Sequence, residues 1–518
     1  MANTVELLGE SLEAFRREET EELPKEEGSG KTAAKRFSAI DRDQMMIRPV
    51  CVEKLVEQDH PVRAIWAMVC QLDMSRFEEG VKVVEGGRGR SSSDPRLLAA
   101  LWIYAYSEGI NSAREIARMC SYEPGMEWLT GMKEVNYHTL SDFRTREKEA
   151  VEKMFVQVLG VLSAEGLTDL KQVMQDGTKV KAQASRKSFR GEERLREHLK
   201  LAEQQVKAMG DGNVEELSQR VIQARQRAIE EKKQRLEHAL EQLQELEKSR
   251  KESERVRRVS ESDPEARIMM QSDGGFAPSY NVQISTEASN KIIVAVGVTQ
   301  EGTDYNQLVD GIDRVKANTG TTPDQMVVDG GFVKNENIET ATALGVDLFA
   351  PVAETDPEGS LRRRGIRPEF YPDQFRYDEA ANTFTCPAEK TLTLRRTHDR
   401  EGRIDHYYRA EKADCAACPF RSQCCPKTSP RWVVRKELSE AVKAFRTKME
   451  TEQAKQIYRR RAEVAEFPNA WIKEKLGLRQ FRLRSVGKVG LEATWACLTY
   501  NIQQWIRLSW RPKFAAAA

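Results

Sequence analysis

Two strand-like segments constrain the fold most, because each sets a single aspartate in an apolar stretch. The first, "QVMQDGTKVKA" at 172–182, carries Asp176, and the second, "QMVVDGG" at 325–331, ends on Asp329 and two glycines. Ligand sites in open α/β sheets lie at the carboxyl ends of strands. If the two strands are neighbours, the two carboxylates repel unless they are protonated or bound to a hard cation such as Mg²⁺ or Mn²⁺. A turn-capping role for either aspartate remains open.

A third acid is sought on a separate element, and the basic segment "YRRRAEVAEFPNAWIKEKLGLRQ" at 458–480 supplies it. At about 100° per residue, a helix gathers four polar residues within an arc of about 140°. These are Tyr458, Arg461, Glu466 and Lys473. Pro468 should kink the helix beside Glu466. A solvated basic helix is the alternative interpretation.

Two other glutamates compete with Glu466 for this role. Glu463 and Glu474 lie on the same segment, but the helical wheel places both outside the arc that holds Tyr458, Arg461 and Lys473. Glu466 is therefore the preferred third acid.

The length of 518 residues predicts about two to four domains. Helical periodicity runs from 38 to 168, and a glycine-containing break between "DPRLLAALWIYAYSEG" and "NSAREIARMC" matches a helix-turn-helix, although an ordinary helical hairpin fits equally. A long helix with a basic patch around Arg144 and Arg146 is expected next. Strand and helix patterns alternate from 263 to 352, which predicts a mixed sheet with helical crossovers.

The stretch 188–262 is extremely polar, with apolar residues at helical spacing. It predicts an antiparallel helical hairpin that is either a solvated strut or an arm for DNA contact or dimerisation.

Five of the nine cysteines lie between Cys386 and Cys425. The four thiols with spacing suited to zinc are Cys386, Cys415, Cys418 and Cys424, of which two form a Cys-x2-Cys element. A β-hairpin over "TLTLRRTHDREGRIDHYYRA" would bridge the long gap after the first thiol. Structural Zn²⁺ is the leading interpretation, and reduced thiols without metal or disulfides are the alternatives. The hairpin could also contact DNA through Arg395, Arg396 and Arg409.

The formal net charge is only +1, but residues 458–513 hold twelve Lys and Arg against four Glu. Such a local excess is an electrostatic footprint for nucleic acid. No run of about 18 apolar residues is present, so no membrane span is expected and the cytoplasm is the expected compartment.

Taken together, "QDGTKVKAQAS", "YNVQISTEASNKIIVAVGVTQEGTD", "VVDGGFVKNENIE" and the Tyr-Arg-Glu-Lys series resemble bacterial insertion-sequence transposases of the Asp-Asp-Glu (DDE) type. The segments "DHPVRAIWAMVCQLD", "YAYSEGINSAREIARMC" and "YHTLSDFRTRE" resemble the helical N-terminal domain of the same family. The resemblance covers residues 38 to 508. One departure is Ser485, where glycine is usual.

The resemblance implies an α/β, ribonuclease-H-like catalytic core in which Asp176, Asp329 and Glu466 bind two Mg²⁺ or Mn²⁺ ions. The ions would activate a water and later a 3′-hydroxyl, while Tyr458, Arg461 and Lys473 contact DNA phosphates. Terminal inverted repeats and target DNA are the implied double-stranded partners, and a homodimer on DNA is implied because two ends are joined. A catalytically inactive or domesticated DNA-binding derivative, or a structural interaction protein, are the alternatives.

The expected organisation has six parts, two of them inserted into the core. They are a flexible acidic tail (1–37), a helical DNA-binding domain (38–168), the catalytic core (169–187 with 263–352 and 433–512), the charged helical hairpin (188–262), a Cys-rich insertion (353–432) and a short tail (513–518). The protein is expected in the bacterial cytoplasm, associated with the nucleoid.

Overall fold

The computed structural model describes residues 43, 45, 49–79, 81, 92–211, 219–248, 257–352, 357–400, 403–427 and 430–515. The predicted acidic tail lies outside these ranges. The chain divides into two units, Met1–Val50 and Cys51–Ala518, and everything below concerns the second. None of the described helices is long and apolar enough to cross a membrane.

The N-terminal part of this unit is helical, as predicted. Its helices are α1 (Pro61–Cys70), α2 (Ser75–Glu78), α3 (Pro95–Ser107), α4 (Ala113–Met119), α5 (Pro124–Thr130), α6 (Tyr137–Arg146) and α7 (Lys148–Ala164). The Asp94 carboxylate accepts a hydrogen bond from the Arg96 amide (2.8 Å) and Pro95 occupies the first turn, so α3 begins where the sequence predicts. Gly109 lies in the break after α3 with φ of 75°, a conformation that favours glycine.

The long helix expected after residue 137 is instead two helices, because Glu147 leaves helical geometry (φ −111°, ψ 75°) between α6 and α7. The basic patch expected there is also wrong for one of its two residues. Arg144 is 5% exposed, lies over the Trp102 ring (4.5 Å) and donates to the Asn111 carbonyl (2.9 Å). A buried arginine that serves neighbouring helices cannot contact a phosphate backbone.

A six-stranded mixed sheet follows, as the alternating patterns predicted. Its strands are β1 (Gln172–Lys181), β4 (Arg267–Met270), β5 (Phe276–Glu287), β6 (Ile293–Thr299), β7 (Gln325–Val327) and β8 (Asp347–Phe349). β1 is antiparallel to β5, which also pairs with β4 and β6, and parallel to β7, which is parallel to β8. Helices α10 (Gln307–Thr319) and α11 (Asn335–Ala343) make the crossovers to β7 and β8.

The polar stretch folds as the predicted hairpin. Helices α8 (Glu192–Asp211) and α9 (Gln219–Lys248) pack on each other around Leu195 and Leu236, and short strands β2 (Phe189–Arg190) and β3 (Val259–Ser260) pair at its base. The chain therefore enters and leaves this helical insertion through two paired strands, β2 and β3.

A second, five-stranded antiparallel sheet is inserted after β8. It consists of β9 (Arg376–Asp378), β10 (Thr383–Thr385), β11 (Thr391–Arg400), β12 (Arg403–Ala410) and β13 (Trp432–Leu438), in that order, with short helices α12 (Pro357–Arg363), α13 (Lys412–Ala416) and α14 (Arg421–Cys424). β11 and β12 form the expected hairpin. β13 extends this sheet beyond the expected boundary at 432.

The chain then returns to the first sheet through α15 (Glu440–Glu450), α16 (Glu452–Arg459), a π-helical turn at Ala462–Glu466, α17 (Phe467–Glu474), α18 (Val486–Trp505), a second π-helical turn at Ile506–Trp510 and α19 (Arg511–Ala515). α18 is buried along most of its length and packs on α3, α7 and β6. Ser485, just before it, has φ of 73°, which explains why a glycine suits this position. One apolar core joins the N-terminal helices, the first sheet and α18.

Candidate functional site

Asp176, in the middle of β1, and Asp329, just after β7, lie at the same level of adjacent parallel strands. Met174 of β1 pairs with Val327 of β7, so Asp176 and Asp329 each come two residues later along the same direction. The Asp329 carboxylate accepts from the Gly331 amide through Oδ1 (2.7 Å), which is the turn-capping role left open by the sequence. Its other oxygen faces the next partner.

That partner is Arg461, which joins the two acids. Its Nη2 donates to Asp176 Oδ1 (2.7 Å) and lies 3.7 Å from Asp329 Oδ2. Because both carboxylate oxygens lie within 3.7 Å of the same nitrogen, the two carboxylates are close enough to share one site. The Arg461 side chain is only 12% exposed, and its charge offsets the repulsion between the two acids.

Burial sets the ionisation of this cluster. The pKa of Asp176 is raised, mainly because the carboxyl is buried and also because Asp329 is near, although Arg461 opposes the shift. The pKa of Lys473 is lowered by burial, against the attraction of Asp176. Lys473 therefore lies within range of the charge on Asp176, although no hydrogen bond or ion pair joins the two among the described residues.

A π-helical turn replaces the kink expected at Pro468. The turn covers Ala462–Glu466 and α17 starts directly after it. On a regular helix Arg461 and Asn469 would point about 80° apart, but the one extra residue of a π-turn reduces this to about 20°. The turn therefore brings residues before and after it onto the face that meets β1.

Glu466 is the last residue of this turn, and its side chain is exposed. It forms no hydrogen bond or ion pair with any described residue. Its competitors are engaged elsewhere, since Glu463 pairs with Lys291 (2.9 Å) and Glu474 pairs with Arg479. Glu466 stands three residues before Asn469 and seven before Lys473, which is the spacing of one helical face.

Two residues near the acids were missed by sequence reasoning. Asn469 donates from Nδ2 to Asp176 Oδ2 (2.9 Å). Asp304 lies behind Gly177, where an added Cβ would collide with its carboxylate, and accepts from Asn281 (2.7 Å) and Gln283 (2.6 Å). Asn469 fell within the predicted helical arc but is neutral, and Asp304 carries no strand-end signal, so a search for charged residues at strand ends found neither.

The four predicted thiols meet in one small cavity of about 30 Å³ below the second sheet. It is lined by Cys386, Cys415, Cys418 and Cys424, with Cys425 and Phe420. The Cys386 sulfur accepts from the Lys390 amide and the Cys415 sulfur from the Arg431 amide, both at 3.4 Å. Burial raises the pKa of Cys424 to about 12. All nine cysteines are free thiols.

The residues of both clusters can be compared with what a metal ion needs. Across the described part of the chain, no group of three or more His, Cys, Asp or Glu side chains stands ready to hold an ion. The chemistry of each set fits nonetheless. Asp176, Asp329 and Glu466 offer hard oxygens, and the guanidinium between two of them marks a place for positive charge. The thiols offer soft ligands, two of them already supported by backbone N–H donors.

Comparisons with known proteins identify two segments. Residues 50–146 match the family model "Transposase domain (DUF772)", and residues 385–506 match "Transposase DDE domain". The second range contains Arg461, Glu466 and all four clustered thiols, and the two aspartates precede it. No curated protein matches the chain.

Among solved structures, the chain is similar to a cryo-EM structure of a piggyBac transposase synaptic complex with hairpin DNA. The identity is 8%, the TM-score is 0.31, and the match covers 86% of this chain and 73% of the other. That likeness is too weak to support a conclusion by itself. The two family matches confirm the resemblance expected from the sequence: residues 50–146 and 385–506 are similar to transposase domains, the second of the DDE type.

Proposed function

We propose that this protein is an active DNA transposase, which cuts the ends of its insertion sequence and joins the 3′ ends to target DNA. One observation carries the proposal. Asp176 and Asp329, which are 153 residues apart in the chain and lie on adjacent parallel strands, meet at one arginine of the helical segment that also bears Glu466. Acids gathered from separate elements around a positive charge are typical of a metal-dependent nuclease.

The sheet supports a ribonuclease-H-like core. Three strands run antiparallel in the order β6, β5, β1, and β7 and β8 then continue parallel to β1, with crossovers through α10 and α11. This arrangement places Asp176 on the central strand and Asp329 at the end of its parallel neighbour. The acids therefore occupy the switch from antiparallel to parallel pairing, where open sheets form a crevice.

Asp176, Asp329 and Glu466 would hold two Mg²⁺ or Mn²⁺ ions, which supply an activated oxygen nucleophile and stabilise the leaving oxygen. Other side chains of the protein would balance charge and bind phosphate. Arg461 neutralises the acid pair and lies where a scissile phosphate would approach. Lys473, which is half-buried within range of the charge on Asp176, would hold a phosphate oxygen, as would Tyr458, which lies half-buried three residues before Arg461.

The four thiols would hold a structural Zn²⁺ that fixes the base of the second sheet. Strand alternation puts the thiols and the apolar cluster of Phe384, Leu392 and Tyr408 on one face. The opposite face carries two stacked pairs, Arg396 over Tyr407 (4.2 Å) and Arg409 over Trp432 (5.2 Å).

We propose this outer face as a DNA contact, because arginines on aromatic rings suit phosphates and bases. Of the three arginines expected to contact DNA, Arg395 is less suitable, since it pairs with Glu411. The N-terminal helices, a homodimer on two DNA ends, and a location on the nucleoid in the bacterial cytoplasm complete the proposal, and rest on the family resemblance.

The test is metal-dependent nicking of a duplex carrying the element's ends, which inverted repeats flanking the gene would reveal. Asp176→Ala, Asp329→Ala and Glu466→Ala are each expected to abolish nicking while DNA binding persists. Full activity of one variant would remove that residue from the site. A wild-type protein that binds the ends but never nicks them with Mg²⁺ or Mn²⁺ would instead be an inactive, DNA-binding derivative.

A further inference from the structure

Both carboxylate oxygens of Asp176 are engaged by side chains of the helical segment that follows the second sheet. Arg461 Nη2 donates to Oδ1 (2.7 Å) and Asn469 Nδ2 donates to Oδ2 (2.9 Å). The two donors are of different kinds, because one carries a full charge and the other is neutral. A divalent cation that approaches Asp176 is repelled by the positive charge of the guanidinium. The amide of Asn469 carries no net charge and does not repel it.

Asn469 is buried at this position and is not a surface residue. Its side chain is 7% exposed, and it follows Pro468 in the first turn of α17. The π-turn before α17 rotates it onto the face of Arg461. Its Oδ1 is buried and has no hydrogen-bond partner among the described residues.

The orphaned amide oxygen adds a second observation. A buried polar atom without a partner is uncommon and calls for a physical reason. Here the oxygen belongs to the same amide group that holds Asp176, three residues after Glu466 on one helical face. It is a further hard oxygen beside the acids.

We propose that Asn469 is a positioning residue of the acid site, which fixes the orientation of Asp176 for a divalent cation through a neutral hydrogen bond. The inference rests on the proposed function, since it presumes that Asp176 binds metal. Arg461 supplies charge in the metal-free protein, whereas Asn469 keeps Asp176 in place whether or not the guanidinium stays.

The experiment measures Mn²⁺ binding to the full chain without DNA, by electron paramagnetic resonance of free Mn²⁺, together with the melting temperature. Asn469→Leu removes the donor and keeps a similar shape. Its expected effect is a loss of Mn²⁺ affinity of about tenfold or more, in the range of residues that orient metal ligands. Asp176→Asn is the reference for complete loss of the site.

Asn501→Leu is the matched control, because Asn501 is also a buried helical asparagine but bonds to the Ile293 backbone (2.8 and 2.9 Å). It is expected to lower the melting temperature and leave Mn²⁺ affinity unchanged. Wild-type affinity in Asn469→Leu, or an equal loss in Asn501→Leu, would overturn the inference. Unchanged Mn²⁺ binding in Asp176→Asn would instead contradict the proposed metal role of Asp176 itself.

Discussion

The acid site and the thiol cluster are two candidate metal centres built in opposite ways. The acids come from β1, the end of β7 and a helix, and Asp176 and Glu466 are 290 residues apart in the chain. The thiols come from residues 386 to 424 and line one small cavity. The acid pair has its counter-charge in Arg461, which donates directly to Asp176, whereas Arg431 at the thiol cavity donates to the backbone carbonyls of Phe370 and Cys424. Under the proposed function, the acid site would fold without its ions and bind them later, whereas the thiol cluster would need Zn²⁺ to fold.

The largest expected effect distinguishes a loss of DNA nicking from a loss of folding stability. Asp176→Asn keeps the shape of the side chain and removes a carboxylate, so nicking should fall by at least about 10³-fold while zinc content stays at the wild-type level. Asp347→Asn is the control, because Asp347 is an acid of the same sheet that pairs with Lys448 at its edge strand. Equal loss in both variants would mean that the sheet, and not the site, was damaged.

The next effect concerns the thiols. Cys415→Ser should abolish binding of one zinc equivalent, measured by metal analysis, and open the second sheet to limited proteolysis, because a structural zinc contributes directly to folding. Cys70→Ser, an exposed thiol outside the cluster, should retain zinc. If the purified protein contains no zinc and Cys415→Ser does not change its proteolysis, the thiol cluster is not a metal centre and only the acid site remains a candidate.

A smaller effect tests the internal counter-charge. Arg461→Met leaves two neighbouring, mostly buried carboxylates uncompensated, so the free energy of unfolding should fall by about 2 kcal/mol in metal-free buffer. Added Mn²⁺ should restore part of it, because a cation takes over the charge. Arg479→Met, whose partner Glu474 is largely exposed, should change stability by less than about 1 kcal/mol. A deficit that Mn²⁺ does not reduce would contradict the compensating role of Arg461.

The smallest effect compares neighbouring arginines on the second sheet. Arg396→Ala should weaken duplex binding by about threefold to tenfold and lower the slope of log affinity against log salt by about 1, as expected for one phosphate contact. Arg395→Ala should change little, because that side chain pairs with Glu411. Fluorescence anisotropy at several salt concentrations measures both. A larger effect of Arg395→Ala than of Arg396→Ala would place the DNA at the β-bulge after Leu394, and not on the face that carries Tyr407 and Trp432.

The sequence was most informative where a single acid, or a set of cysteines, interrupted a regular apolar pattern. Asp176 and Asp329 were found in this way, and the cysteine spacing found a cluster that the structure also brings together. Apolar periodicity predicted the mixed sheet and the helical hairpin because burial of one face is a strong, repeated signal.

What could not be predicted depended on local geometry without a compositional signal. Nothing in "YRRRAEVAEFPNAW" reveals a π-turn, and Asn469 is neutral, so its bond to Asp176 was not anticipated. Arg144 was taken for a surface charge because sequence does not show that Trp102 covers it. The break at Glu147 likewise lacks a proline or glycine to announce it.

The π-turn at Ala462–Glu466 makes the winding of this segment important for the proposed site. Deleting one residue there would give an ordinary α-helix with the same register after it, whereas relaxation of the turn without a deletion would rotate everything after it by about 100° relative to Arg461. Asn469 and Lys473 would then leave the acids although every side chain of the site was still encoded. The winding of this turn, and not only the identity of the acids, would therefore decide whether the proposed site is assembled.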